Sequence, residues 1–232
     1  VLAVLKWSDA RNFSRTFAAL SLVVGPLLLL VSVAVSPAFT VAFEEPAAFL
    51  DAVAGGRGAH LATAVLFLAG SLILVPGALG TMHLLRGRGV TLGYLGGALV
   101  VIGAVASAAF YVINVVTLEM TDRAAEAEQM AALLERIEEG TAGTILLVVF
   151  SAGTVLGILL LALALILRRV VPIWSPIALV LAVVVGFFPD NNAASAIEFA
   201  LVLLGTTALA RRIWALSDDE WAAWQPLSDR PP

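Results

Sequence analysis

The chain contains no cysteine, which removes disulfides, thiolate metal sites and thiol redox chemistry at once. It has two histidines, His60 and His83. They lie on one apolar run, about 35 Å apart along a helix, so they cannot ligate the same haem iron. Lysine occurs only as Lys6, against twelve arginines, a bias that points to a GC-rich bacterial genome. Charged residues of both signs make up 13% of the chain, too few to clothe a soluble domain.

Familiar catalytic signatures are missing as well. No Gly-x-Ser nucleophile has a histidine at matching depth, and every aspartate lies in a connection or a tail. The His-Glu-x-x-His zinc motif and the phosphate-binding loop are absent, so the expectation is a non-enzyme without metal or cofactor. Basic residues occur as scattered singles and pairs, which suits anionic lipid and not nucleic acid.

What the chain does have is apolar length. At 61% hydrophobic residues and a mean hydropathy of +1.02, it reads as an all-α, polytopic transmembrane bundle. A hydrocarbon core about 30 Å thick needs roughly 20 helical residues. Six runs offer themselves, at about 16–35, 61–85, 91–118, 143–167, 172–188 and 193–210, forming one domain over 1–213 with an interfacial tail over 214–232. Ser36-Pro37 offers no small-residue cleavage pattern, so the first run is read as a retained span and not a secretory signal. Pro26, Pro76 and Pro176 are candidate kinks. Pro189-Asp190-Asn191-Asn192 is a tight turn joining the last two runs.

Charge orients this map. Lys6, Arg11, Arg15, Arg86, Arg88, Arg168, Arg169, Arg211, Arg212 and Arg230 lie on the side of the termini; only Arg57, Arg123 and Arg136 lie on the other. Basic residues near span ends are retained in the cytoplasm. Both termini are therefore expected inside a bacterial cytoplasmic membrane. Trp7, Trp174, Trp214, Trp221 and Trp224 share that side, at headgroup level, with Trp221 and Trp224 presented by a short helix that Ser217 and Glu220 would cap. His83, next to Arg86 and Arg88, is expected to face headgroups. The opposite side is acidic. There Met120, Ala124, Ala127, Ala131, Leu134 and Ile137 recur at helical spacing, so 120–139 should hold an amphipathic helix. A second short helix is expected from Pro46 to Ala54, broken by Gly55-Gly56-Arg57-Gly58.

Helices in lipid associate through close backbone approach and interhelical hydrogen bonds. The third run places Gly93, Gly96, Gly103, Ser107 and Asn114 on one face, and the fourth carries Gly153-x-x-x-Gly157. This face is read as a packing seam, with a pore lining as the alternative. His60, Asn114, Glu119 and Glu198 all fall near the acidic end of the bundle and could converge there on a proton or a cation. The plainer reading makes Glu198 a cap at its helix start.

The stretch from Pro76 to Arg86, followed by Gly93-Tyr94-Leu95-Gly96-Gly97, resembles the second-to-third-span region of uncharacterised small bacterial multi-pass membrane proteins. The resemblance implies a six-helix membrane domain and assigns no activity. Three functions stay open: a structural or interaction component, a proton- or cation-coupled transporter using Glu198, and a lipid-modifying enzyme using His60 and Glu198. The first is the leading expectation, with the bilayer and a membrane or extracytoplasmic protein as partners.

Overall fold

A computed structural model describes residues 8–41, 45–86, 90–121, 126–138, 140–187 and 192–223. Lys6, Trp7, Arg88, Ala124, Trp224, Arg230 and most of the 189–192 turn lie outside these residues. The described chain is all-helical: α1 Ala10–Ala34, α2 Pro46–Gly55, α3 Arg57–Leu84, α4 Val90–Tyr111, α5 Ile113–Met120, α6 Ala127–Glu138, α7 Thr141–Arg168, α8 Trp174–Gly186, α9 Asn192–Trp214 and α10 Asp218–Ala222. Among the described residues, five segments are long and apolar enough to cross a membrane: α1, α3, α4 with α5, α7 and α9. Leu72, Leu79, Ile102, Val148, Leu156 and Leu181 point outward from the bundle, an apolar surface that suits lipid and not water.

The fifth run is shorter than its hydropathy suggests. α8 has 13 residues, about 20 Å of helix, and falls short of a 30 Å core by itself. Pro172 lies ahead of the helix. Pro176 is the third residue of α8, where its missing N–H has no helical acceptor to lose, so the expected kink does not arise there. Pro26 and Pro76 lie inside continuous helices. The expected four-residue break at 55–58 shrinks to one: α2 ends at Gly55, and α3 starts at Arg57. A Cβ on the intervening Gly56 would lie 2.6 Å from that of Pro37. The third run divides at Val112, where three-residue hydrogen bonds (Val112 N–H to Ala109, Val115 N–H to Val112) tighten the chain.

Small residues bring the long helices together. On α4 and α7, a Cβ on Gly96 would lie 2.8 Å from the Leu161 nitrogen and 2.9 Å from the Gly157 oxygen. One on Gly153 would lie 2.9 Å from the Gly103 nitrogen. The backbones themselves are in contact, which gives dispersion and weak hydrogen bonding their shortest range. α1 and α3 repeat the device with Gly25 against Gly70 and Ala18 against Gly80. α8 and α9 run antiparallel as a hairpin, with Ser175 Oγ donating to the Gly205 carbonyl at 2.8 Å.

A small layer closes the end away from the termini. Leu50 of α2, Met120 of α5 and Leu134 of α6 form its core, with Ala131 and Ile137 packed against it. The amphipathic helix expected over 120–139 is α6, which begins only at Ala127. Arg57 ties α3 to this layer by donating to the Leu118 carbonyl at 3.0 Å and to Thr121 Oγ1 at 2.6 Å.

Candidate functional site

The four polar residues grouped by depth separate in the structure. His60 is buried on α3 and its Nε2 lies 2.9 Å from both the Asn114 carbonyl and Thr117 Oγ1. The Thr117 hydroxyl itself donates to the Asn114 carbonyl at 2.7 Å. Phe49 meets the imidazole edge-on. His60 thus fastens α3 to α5 and reaches Asn114 through its backbone. Glu119 is exposed. No hydrogen bond among the described residues joins Glu198 to His60 or Asn114.

Glu198 stands elsewhere. It lies six residues past Asn192, where α9 begins, about 9 Å into the helix and beyond the free N–H groups of the first turn. The capping role therefore does not apply. Its carboxyl rests against Gly186 at the end of α8: a Cβ there would lie 2.9–3.1 Å from the carboxyl carbon and both oxygens. Glycine at 186 is what lets the carboxyl sit against the α8 backbone. Among the described residues, no hydrogen bond or ion pair reaches this carboxyl group.

The carboxyl opens on a cavity of about 120 Å³ enclosed by α1, α3, α4, α7, α8 and α9. α9 lines it with Glu198, Val202, Thr206 and Leu209, and α3 with Phe67, Ser71, Leu74, Ala78 and Thr81. Both sets follow helical spacing, so each helix offers one stripe. From Phe67 to Thr81 the slot runs about 21 Å, most of the hydrocarbon thickness. Its walls are mainly aliphatic and aromatic. Ser71 Oγ and Ser107 Oγ, 3.4 Å apart, stand about 6 Å along it from Phe67, with Thr154 of α7 also on the wall. The Thr81 and Thr206 hydroxyls donate to the carbonyls of Gly77 and Val202 on their own helices, which leaves their oxygens as acceptors. Phe67 stacks on Tyr111 and meets Phe199 edge-on, closing an aromatic wall beside Glu198.

The residues grouped as a seam on α4 divide their contacts. Gly96 and Gly103 face α7, Gly93 lies against Leu85 at the end of α3, and Ser107 meets Ser71. One face serves packing and cavity wall together. The other lining residues, Phe67, Ser71, Thr154 and Thr206 among them, escaped the sequence reading. Their only signal was an apolar helix carrying a hydroxyl every few turns, which also describes ordinary interhelical packing.

At the end of the bundle where α1 begins, α10 forms a latch. α10 starts with a capping box in which Ser217 Oγ accepts from the Glu220 N–H and the Glu220 carboxylate accepts from the Ser217 N–H at 2.7 Å. Buried Arg15 of α1 pairs with Asp218 at 3.1 Å and donates to the Leu216 carbonyl. His83 Nε2 contacts the Trp221 carbonyl at 2.6 Å, and Arg86 donates to that of Glu220. The Trp221 indole N–H donates to Ser14 Oγ at 3.0 Å. Two expectations are corrected here. Trp221 is buried and not an anchor among headgroups, because its indole N–H is satisfied by Ser14 of α1, and His83 turns to α10, where its ring meets the Trp221 carbonyl and lies edge-on to the indole. Leu84, Leu85, Ile213, Leu216 and Trp221 complete an apolar plug. No protein-family model, curated protein or solved structure matches this chain.

Proposed function

We propose that this chain is a six-pass protein of a bacterial cytoplasmic membrane, both termini inside, acting as a small proton- or cation-coupled transporter with Glu198 as its working carboxylate. The observation that carries the reading is the slot itself. A carboxyl group without a protein partner, facing an apolar cavity within the bundle, needs its charge compensated by a proton or a bound cation. Exchange of that partner with one membrane face and then the other is transport. The short helix α8, ending against Glu198, supplies a boundary that can shift without unmaking a full span.

The proposed orientation rests on the charge asymmetry, with Arg11, Arg15, Arg86, Arg168, Arg211 and Arg212 on the side of the latch. Five long helices and α8 would make six passages, which returns α10 to the end where α1 begins. A second reading, a non-catalytic interaction component, draws on α6, whose outward Glu128 and Glu135 overlie the cluster around Leu134. A membrane or extracytoplasmic protein would be the partner. A lipid-modifying enzyme has less support, since His60 and Glu198 do not share a site.

The test uses liposomes containing the purified chain and an internal pH dye, with an imposed pH gradient and a potassium shunt. The wild type should collapse the gradient, and Glu198→Gln should slow collapse to the rate of protein-free liposomes while inserting normally. Equal rates for the two proteins remove the proton-coupled form of the proposal, and equal uptake of radiolabelled sodium by the same liposomes removes the cation-coupled form.

A further inference from the structure

We propose that the slot beside Glu198 is a binding site for a small lipophilic ammonium ion, with the charged nitrogen at the carboxylate and the alkyl part lying along the apolar wall. The inference rests on the reading of Glu198 as the working carboxylate and names the ligand that it takes.

Charge comes first. The site offers one carboxylate and, among the described residues, no cationic side chain bonded to it, so it favours a monovalent cation. The donor set then decides which kind. Hard metal cations collect about six or more oxygen ligands, and the described residues contain no group of three His, Asp or Glu side chains that could hold a metal. The lining hydroxyls are dispersed along a slot about 21 Å long. An ammonium group needs less: a single carboxylate, together with aromatic faces that attract cations through their quadrupoles. Phe67 and Phe199 line the slot together with Glu198, so aromatic rings stand in the same cavity as the carboxylate.

The remaining wall addresses the rest of the molecule. Leu29, Leu74, Val100 and Ile158 present hydrocarbon, which welcomes an alkyl chain and rejects a strongly hydrated ion. Volume sets the size. A cavity of about 120 Å³ is somewhat below the engineered 150 Å³ cavity that takes benzene, so a chain of about four carbons on one nitrogen is the natural scale.

Radiolabelled n-butylammonium is the probe, in equilibrium binding to the full chain in lipid nanodiscs, with 1-butanol as the neutral competitor of similar shape. Saturable binding that unlabelled butylammonium displaces and 1-butanol does not is the expected result. Glu198→Gln should weaken it at least about tenfold, the scale of one charge-assisted contact. Ser107→Leu, which fills the slot and leaves the carboxylate, should weaken it similarly, with its thermal unfolding checked alongside. No saturable binding to the wild type, or equal binding to Glu198→Gln, overturns the proposal. Proton flux measured on the same preparations separates the two claims. Flux that depends on Glu198 without butylammonium binding sinks the ligand and leaves the transport reading standing; flux indifferent to Glu198→Gln sinks the proton-coupled transport reading.

Discussion

Gly157→Leu should prevent α4 and α7 from closing, and the protein should fail to purify as a single stable species. The Gly157 Cβ position lies 2.7 Å from the Val100 nitrogen and 2.9 Å from the Gly96 oxygen. Both are backbone atoms, so no rotamer change relieves the clash, and the helices must separate along the seam. Overpacking of a well-packed interior costs about 1–3 kcal/mol even when side chains can yield. Gly157→Ala should already cost about that much, and leucine substantially more. Gly58→Ala is the control, because a Cβ there meets nothing within 4 Å. Gly58 is the second residue of α3 and has no left-handed φ, so alanine there should stabilise by about 0.4–1 kcal/mol through the reduced entropy of the unfolded chain. Unfolding midpoints in a graded denaturing detergent check the pair. Indistinguishable midpoints for Gly157→Ala and Gly58→Ala would mean that the two backbones are not in contact.

Arg15→Met should open the latch. The substitution keeps an unbranched apolar stem and removes the guanidinium that pairs with Asp218 and caps the Leu216 carbonyl. A buried acceptor left without its donor costs about 1–3 kcal/mol, and a broken buried ion pair more. Asp218 keeps partial contact with solvent, with 26% of its side chain exposed, which moderates the ionic share. A loss of about 2–3 kcal/mol is expected. Amide exchange should rise over 216–223 and stay unchanged in α4 and α7. Asp218→Asn should cost less, because Arg15 retains its carbonyl acceptor. Acid should loosen the same segment. Hydrogen bonds from the Ser217 N–H and hydroxyl hold the Glu220 carboxyl below its ordinary value of 4.5. A carboxyl lowered in the folded state contributes its stability fully above the unfolded value, and that contribution is lost as pH falls through the folded value. Unchanged exchange in Arg15→Met would show that Arg15 is not what holds α10, leaving that to the bonds of His83, Arg86 and Trp221 and to its apolar contacts.

How far these features could be read from residues alone depends on which coordinate they involve. Depth along a helix follows from counting, and it placed Glu198 and Asn114 toward one end. Rotation about the helix axis does not follow, since it is set by which neighbours pack on which face. His60 and Asn114 therefore meet while Glu198 faces a different space, beside Gly186. Glycine spacing on α4 and α7 was visible because close approach demands small residues at intervals that helical periodicity fixes. The cavity was not, because Ser71, Thr154 and Thr206 look the same in sequence whether they pack or line a space.

Local signals behaved similarly. Ser217 and Glu220 announce a capping box because both partners lie within four residues. The burial of Trp221 depends on Ser14 and His83, far away in the chain, and headgroup anchoring was the natural reading of an indole near a span end. α8 illustrates the limit of hydropathy. Apolar residues continue from 177 to 188, yet helix needs hydrogen-bonded backbone as well, and Pro172 and Pro176 confine its start.

The central claim is that the Glu198 carboxyl sits in an apolar slot and still exchanges protons with water. Difference infrared spectroscopy across a pH step, on the protein in lipid, reads that directly. A carboxylic acid carbonyl band that changes with pH in the wild type and is absent from Glu198→Gln is the predicted result. A difference spectrum identical in the two proteins would contradict it, leaving Glu198 without the exchange that the account assigns to it.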